Sequence, residues 1–430
     1  MHLVKHKMAR RKLLWKLLFV GVLAAISLFL YKSENVLSCS NTLKNQTVIV
    51  YKPNPMYIIQ QKWFKTGLAS IEYNVKPATS KHQNNTAEEL SGRLRNMMHA
   101  CSAKVPFLRV YGREPVFFRS NTTNISCCKV PKTGSSFWGA VIMAIESTNT
   151  SRNVFNINRN TIHGHNEVTI HKVVKSDTKI LIGRDPYTRL FSAFIDKYFL
   201  LGNLGRSLRD AVGAGPYRKD GNICGYNVTF SQFLEDITHQ VFKGFQINEH
   251  LIPVSDLCDV CGMKYDMLIR QETLNRDTQH LLRKVDLTAF KRTAIQVAVS
   301  PRGIKQTIHS LIASYLTDYA TYRKDCPSRV LHMEKVWATL QIQGYVNTGV
   351  SYPKQLFENI REYKADNITS IVLHAIESRP MTNEEKIKQR ATFVRRAYEV
   401  VEDETIRKVQ TVFMKDFILL NYDLTPPHKR

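Results

Sequence analysis

The sequence predicts a three-layer α/β fold around a mostly parallel central sheet, with a P-loop-like nucleotide-binding core. Two strand-then-helix passages and one further strand carry that expectation. Ile125 to Val130 reads as a buried strand, followed by a tight loop and a helix over Ser136 to Ile145. Lys179 to Gly183 repeats the pattern and runs into a helix over Pro186 to Phe199. Tyr265 to Ile269 supplies a further strand. Strands alternating with helices favour a sheet covered on both faces, whose ligands bind beyond the carboxyl ends of the strands.

In the first passage, the loop Pro131-Lys132-Thr133-Gly134-Ser135-Ser136 lies between strand and helix. It is not the nucleotide-triphosphate P-loop, because its lysine precedes the glycine. The physics still favours an anion. Gly134 lets the backbone approach closely, the N–H groups from Gly134 to Phe137 sit at a helix start, and Lys132 can neutralise charge on a leaving group. In the second passage, Arg184 ends the strand and Ser192 follows two turns into the helix, so both can face one phosphate. Asp185 reads as an N-cap, and Pro186 suits the first helical turn. Leu190, Phe191, Phe194 and Tyr198 recur at helical spacing and should face the core. Arg189 reads either as a surface residue or as part of the site. Two such elements in this order suggest a nucleotide-type donor with phosphates at both ends.

The rest of the chain divides by composition. Leu13 to Tyr31 is apolar apart from Lys16 and Ser27, about the length of a bilayer-spanning helix. Lys5, Lys7, Arg10, Arg11 and Lys12 precede it, so residues 1–12 should stay cytoplasmic and the remainder face the lumen. The rival is a cleaved signal peptide ending near Val36-Leu37-Ser38. Residues 32–100, rich in Asn, Gln, Ser, Thr and Lys, read as a lumenal stem, and residues 101–430 as the catalytic domain. Leu200 to Tyr226, rich in Gly and Arg, reads as a surface loop. Phe230 to Thr238 and Glu402 to Phe417 read as helices.

Charge and cysteines fit a secretory-pathway protein. The 61 Lys and Arg exceed the 36 Asp and Glu, giving a net charge of +25, which implies an anionic partner. No polybasic run, RNP-like pattern or zinc-finger pattern points to nucleic acid. Sequons at Asn45, Asn84, Asn121, Asn124, Asn149, Asn227 and Asn367 agree with lumenal exposure. Asn124 leads straight into a strand and reads as too buried for sugar. Eight cysteines should pair in an oxidising compartment. Cys258 and Cys261 read as structural disulfide partners of each other, or of Cys224 or Cys326, rather than as half a zinc site. Cys127 and Cys128 should point to opposite faces of the sheet.

The order of these motifs resembles the Golgi membrane-anchored carbohydrate sulfotransferases. The likeness is to the branch with chondroitin and N-acetylgalactosamine 4-O-sulfotransferases, and more loosely to heparan sulfate 2-O-sulfotransferase. Lys129 to Trp138 resembles the loop that holds the 5′-phosphosulfate of 3′-phosphoadenosine 5′-phosphosulfate, and Arg184 to Phe194 the 3′-phosphate motif. His250-Leu251-Ile252-Pro253 with Leu257 to Cys261 and Glu272-Thr273-Leu274 is a third match, and Phe413 to Tyr422 a fourth. The resemblance implies donor contacts from Lys129, Pro131, Lys132, Thr133, Gly134, Ser135, Ser136, Phe137, Trp138, Arg184 and Ser192, with Lys132 catalytic. His163-Gly164-His165 is similar to a segment carrying a presumed base in the 2-O enzyme, which implies His165 as base and His163 as backup. It implies no metal, an acidic or neutral glycan acceptor, a single-pass type II Golgi protein, and room for a homodimer. Leu251 and Arg270 depart from the usual pattern, in a region expected to shape the acceptor site. A lumenal kinase and a catalytically silent glycan-binding protein of the same fold are the alternatives.

Overall fold

Strand β1 (Val116–Ser120) turns back into β2 (Ile125–Cys128) as an antiparallel hairpin, with Asn124 in the left-handed region at φ 51°. The computed structural model describes residues 86–103, 107–110, 114–147, 157, 159–164, 167–299 and 303–430. Strand β3 (Glu167–Thr169) pairs antiparallel with the free side of β1. Strands β4 (Thr178–Gly183) and β7 (Met267–Arg270) extend the sheet in parallel from β2, giving the order β3-β1-β2-β4-β7. Only β1 runs against the other four strands, so the mostly parallel sheet is as expected.

The pleat sorts the strand residues between two cores. Ile125, Cys127, Ile180, Ile182, Met267 and Ile269 pack with helix α2 (Ser135–Glu146) on one face. Cys128, Leu181 and Leu268 pack on the other with helices α4 (Pro186–Phe194), α6 (Phe230–Phe242) and α15 (Asp403–Leu419). These are the three layers. Register alternation explains the neighbouring cysteines: Cys127 is buried as a free thiol, and Cys128 is disulfide-bonded on the opposite face.

Several sequence-based expectations need correction. Helix α1 (Thr86–Ser102) buries Leu90, Arg93 and Met97 and lies against β7, so the boundary drawn at residue 100 falls inside a packed helix. Leu200 to Tyr226 is not a surface loop. It holds helix α5 (Asn203–Ala211) and the hairpin β5 (Pro216–Lys219) and β6 (Asn222–Tyr226), and it buries Leu200, Leu201, Leu208, Cys224 and Tyr226. Asn124 is exposed, because the hairpin turn lifts it off the sheet, as are Asn121, Asn227 and Asn367. Cys258 and Cys261 pair neither with each other nor with Cys224 or Cys326. Among the described residues the disulfides are Cys101–Cys261, Cys128–Cys258 and Cys224–Cys326. Asn45, Asn84, Asn149 and the apolar segment 13–31 lie outside the described residues.

A helical block follows β7. Helices α10 (Ile304–Tyr322), α11 (Arg329–Ile342), α12 (Lys354–Asn359) and α13 (Ala365–Ser378) enclose a separate core of Ile308, Ile312, Trp337, Phe357, Ile368 and Val372. Helix α14 (Asn383–Glu399) starts with a Thr382/Glu385 capping box. Its Gln389 amide donates to the carbonyls of Gln341 and Val346, joining it to the end of α11. Among the described residues, no helix is long and apolar enough to cross a membrane.

Candidate functional site

The carboxyl ends of β2, β4 and β7 open into one cavity of about 1470 Å³. The loop after β2 contributes Lys132, Gly134, Ser135, Ser136 and Phe137, the region after β4 contributes Arg184 and Ser192, and the turn after β7 contributes Gln271 and Glu272. Seven of the eleven proposed donor-site residues therefore line a common wall. Helix α9 (Ala289–Val299) and helices α10 and α14 add to the lining, with Phe290, Gln306, Lys388 and Arg390 among their contributions.

The loop is built for an anion. Gly134 occupies the N-cap of α2 at φ 93°, and no side chain caps that helix or adds a carboxylate to its first turn. Its leading N–H groups stand at the positive end of the helix dipole. A Cβ at Gly134 would come 3.0 Å from Gln271 Oε1, a tight contact added to a backbone conformation that favours glycine. Lys132 also adopts positive φ, 70°, which turns the backbone sharply between two buried residues. Thr133 stabilises the turn by donating from Oγ1 to the carbonyl of Val130, at 2.9 Å.

Two arginines from the second motif brace this loop. Arg184 donates from Nη1 to the carbonyl of Lys132 at 2.7 Å. Burial pulls its pKa down, and the nearby Glu272 carboxylate opposes that. Arg189 is 1% exposed, which settles its assignment: it is interior. It donates to the carbonyls of Pro131 at 3.1 Å and Ile252 at 2.7 Å. Burial lowers its pKa to about 10, with Asp416 opposing. Asp185 caps α4 by accepting from the Thr188 N–H at 2.9 Å, as its sequence context suggests. Burial raises its pKa, while the Arg430 guanidinium at 3.1 Å pulls the other way.

The remaining predicted donor-site residues support the loop from behind and do not line the cavity. Lys129 pairs with Glu167 on β3. Pro131 offers its carbonyl to Arg189, Thr133 is buried, and the Trp138 ring packs in the core at 1% exposure. His163, at the end of helix α3 (Arg159–Gly164), brings Nε2 to 2.9 Å from Ser136 Oγ. His165 lies outside the described residues.

The third and fourth motifs form a scaffold. Asp416 of α15 accepts from the N–H groups of Val254 and Ser255, each at 2.7 Å, at the start of helix α7 (Val254–Leu257). The Cys128–Cys258 bond ties that segment to the strand feeding the loop. Glu272 accepts from the Asp185 N–H and from the Tyr422 hydroxyl, each at 3.0 Å. Leu251 is buried, and Arg270 donates to the carbonyls of Leu420 and Asn421. Neither is among the residues that line the cavity.

A residue that sequence reasoning missed is Asp196, whose carboxylate pairs with Lys132 inside the cavity. The only sequence signal was its position one helical turn after Ser192. Gln271 was also missed: its buried Oε1 accepts no hydrogen bond and borders Gly134.

A helix start without a side-chain cap, a lysine-bearing glycine loop and an arginine that braces it share one cavity wall, and residues 115–325 match the model of the sulfotransferase family. It is similar to carbohydrate sulfotransferase 10 of Xenopus laevis, with 26% identity over 53% of this chain and 66% of that protein. It is also similar to carbohydrate sulfotransferase 11 of Danio rerio, at 28% over 47% of this chain and 64% of that protein. Carbohydrate sulfotransferase 14 of Danio rerio matches at 22% over 57% of this chain and 71% of that protein. The alignment with the frog protein thus spans just under two thirds of its length. No solved structure matches the chain. The kinship with carbohydrate sulfotransferases read from the motif order is borne out.

Proposed function

We propose that this protein transfers a sulfuryl group from 3′-phosphoadenosine 5′-phosphosulfate to a hydroxyl of a glycan. The observation that carries the reading is the 2.7 Å bond from Arg184 to the Lys132 carbonyl, which joins the two anion-binding elements at one cavity wall. In this reading the N–H groups from Gly134 to Phe137 hold the phosphosulfate, and Arg184 with Ser192 holds the 3′-phosphate. The acceptor oxygen attacks sulfur, and the bond from sulfur to the phosphate oxygen breaks in line. The negative charge collects on the departing adenosine 3′,5′-bisphosphate, where Lys132 stabilises it. The acceptor proton passes to a base, for which His165 is proposed. His163, already engaged with Ser136, is the backup.

The acceptor is proposed as a glycan of chondroitin, dermatan or N-acetylgalactosamine type, acidic or neutral. The proposed setting is the Golgi membrane, with residues 13–31 as a type II anchor and a lumenal catalytic domain, either alone or as a homodimer. The kinase alternative needs a carboxylate to hold magnesium beside the loop. Asp185, at the start of α4, is engaged with the Thr188 N–H and Arg430, and Asp196 with Lys132. The silent glycan-binding alternative predicts no affinity for the bisphosphate product.

Incubating the full-length protein with 35S-labelled donor and a glycan panel tests the proposal. Label should enter a glycan with wild type and not with Lys132→Ala. A wild-type protein that neither labels any glycan nor binds adenosine 3′,5′-bisphosphate in calorimetry would refute it.

A further inference from the structure

Asp196 is out of place in a pocket built for anions. It lies on the same helical face as Ser192, one turn on, and lines the cavity with Lys132, Arg184 and Ser192. A bare carboxylate there would repel a phosphorylated ligand. It belongs to an irregularity: α4 passes into a π turn over Ile195–Phe199, closed by Leu200 N–H donating to the Ile195 carbonyl at 3.3 Å. Such turns recur at functional positions in helices. The turn is anchored from the helical block, where the buried Lys335 ammonium donates to the Phe199 carbonyl at 3.1 Å. Asp196 meets Lys132 there, and both side chains are only 8% exposed.

We propose that Asp196 is the positioning residue of Lys132, its carboxylate fixing where the ammonium stands over the loop and giving it up to the donor's bridging phosphate oxygen. This rests on the reading of the cavity as a sulfonucleotide site. Lys132 sits at the tip of a turn, on a flexible four-carbon stem. Without a partner its ammonium would sample many positions, and stabilisation of a leaving group requires one. The arrangement carries a cost: the carboxylate competes with the donor for Lys132 and repels its phosphates. Lys197, whose Nζ is 3.6 Å from the same carboxylate oxygen, lies close enough to take up Asp196 when Lys132 turns to the donor.

The distinguishing experiment compares wild type, Asp196→Asn and Asp196→Glu as full-length proteins. It reads adenosine 3′,5′-bisphosphate affinity by calorimetry, kcat and donor KM by label transfer, and the melting temperature. Asp196→Asn keeps the shape and removes the charge. Its bisphosphate affinity should rise roughly five- to tenfold, the size of one partly screened charge contact. Its kcat should fall on the order of tenfold to a hundredfold as the ammonium loses its position. Asp196→Glu, which retains the pair, should recover most of the turnover. A purely structural role would lower kcat, affinity and melting temperature together, and that outcome overturns the proposal, as does Asp196→Asn kinetics within twofold of wild type. If wild type itself neither binds the bisphosphate nor transfers label, the sulfotransfer reading has failed. Wild-type binding with an unresponsive Asp196 confines the failure to this residue.

Discussion

Arg184 and Lys132, 52 positions apart in the chain, are joined by a 2.7 Å hydrogen bond from the guanidinium of one to the carbonyl of the other. The residue assigned to the 3′-phosphate therefore also holds the backbone of the loop assigned to the phosphosulfate. The two ends of a donor are coupled through that bond, so damage at one anion site should be felt at the other.

Replacing Arg184 by alanine removes a charge-assisted phosphate contact and a brace of the loop together. Bisphosphate binding should weaken by about 2 kcal/mol or more. Arg184→Lys should rescue only part of this, because one ammonium does not reproduce the guanidinium's divergent donors. Calorimetry on the three proteins checks it, and undiminished affinity in the alanine variant would remove Arg184 from the donor site.

Gly134→Ala forces a side chain into left-handed backbone at φ 93°, with its Cβ 3.0 Å from Gln271 Oε1. The strain should cost roughly 1–2 kcal/mol of stability. Donor affinity should fall further, because the new methyl narrows the cradle. Gln271→Ala in the same chain should relieve part of the stability loss, a coupling that a double-mutant cycle on melting free energies measures.

The Cys128–Cys258 bond closes a loop across a sequence separation of 130 and anchors the strand that precedes Lys129. Replacing both cysteines by alanine should destabilise the domain by about 2–5 kcal/mol. Turnover measured well below the melting temperature should fall less, since Arg189 still braces the loop through Pro131 and Ile252.

His332 gives the fold an acid sensitivity. Burial lowers its pKa from 6.5 to about 4, with the hydrogen bond to the Tyr315 carbonyl opposing. Above pH 6.5 the ring is neutral in both folded and unfolded chains. Between pH 6.5 and about 4 the unfolded chain takes up a proton that the folded one refuses, so stability falls as pH falls, by up to about 3 kcal/mol. Melting curves from pH 7.5 to 4.5 should therefore be flatter for His332→Gln than for wild type. Parallel curves would show that another group governs the acid limb.

Much of the site was legible because it is local. Lys132, Gly134 and the start of α2 are contiguous, and Arg184, Asp185 and Ser192 occupy a single strand–helix junction. Strand alternation around Cys127 and Cys128 also read correctly, since side-chain direction in a strand follows from position alone. The residues that brace the site could not be read this way. Arg189 carries a charge, and its burial depends on carbonyls 58 and 63 positions away in the chain. Asp416 caps a helix more than 160 positions earlier. Leu200 to Tyr226 was misread because its glycines and arginines masked five buried side chains whose partners lie partly across the Cys224–Cys326 bond.

By itself, the sequence determined the three parallel strands β2, β4 and β7, the glycine loop after β2, the arginine after β4 and the family whose model they match, because backbone periodicity, helix starts and turn chemistry act over a few neighbouring residues. The tertiary structure alone decided which proposed donor residues line the cavity, which cysteines pair, and that Asp196 meets Lys132. Those outcomes depend on how distant segments are brought together by packing, and no local pattern encodes a distance between segments far apart in the chain.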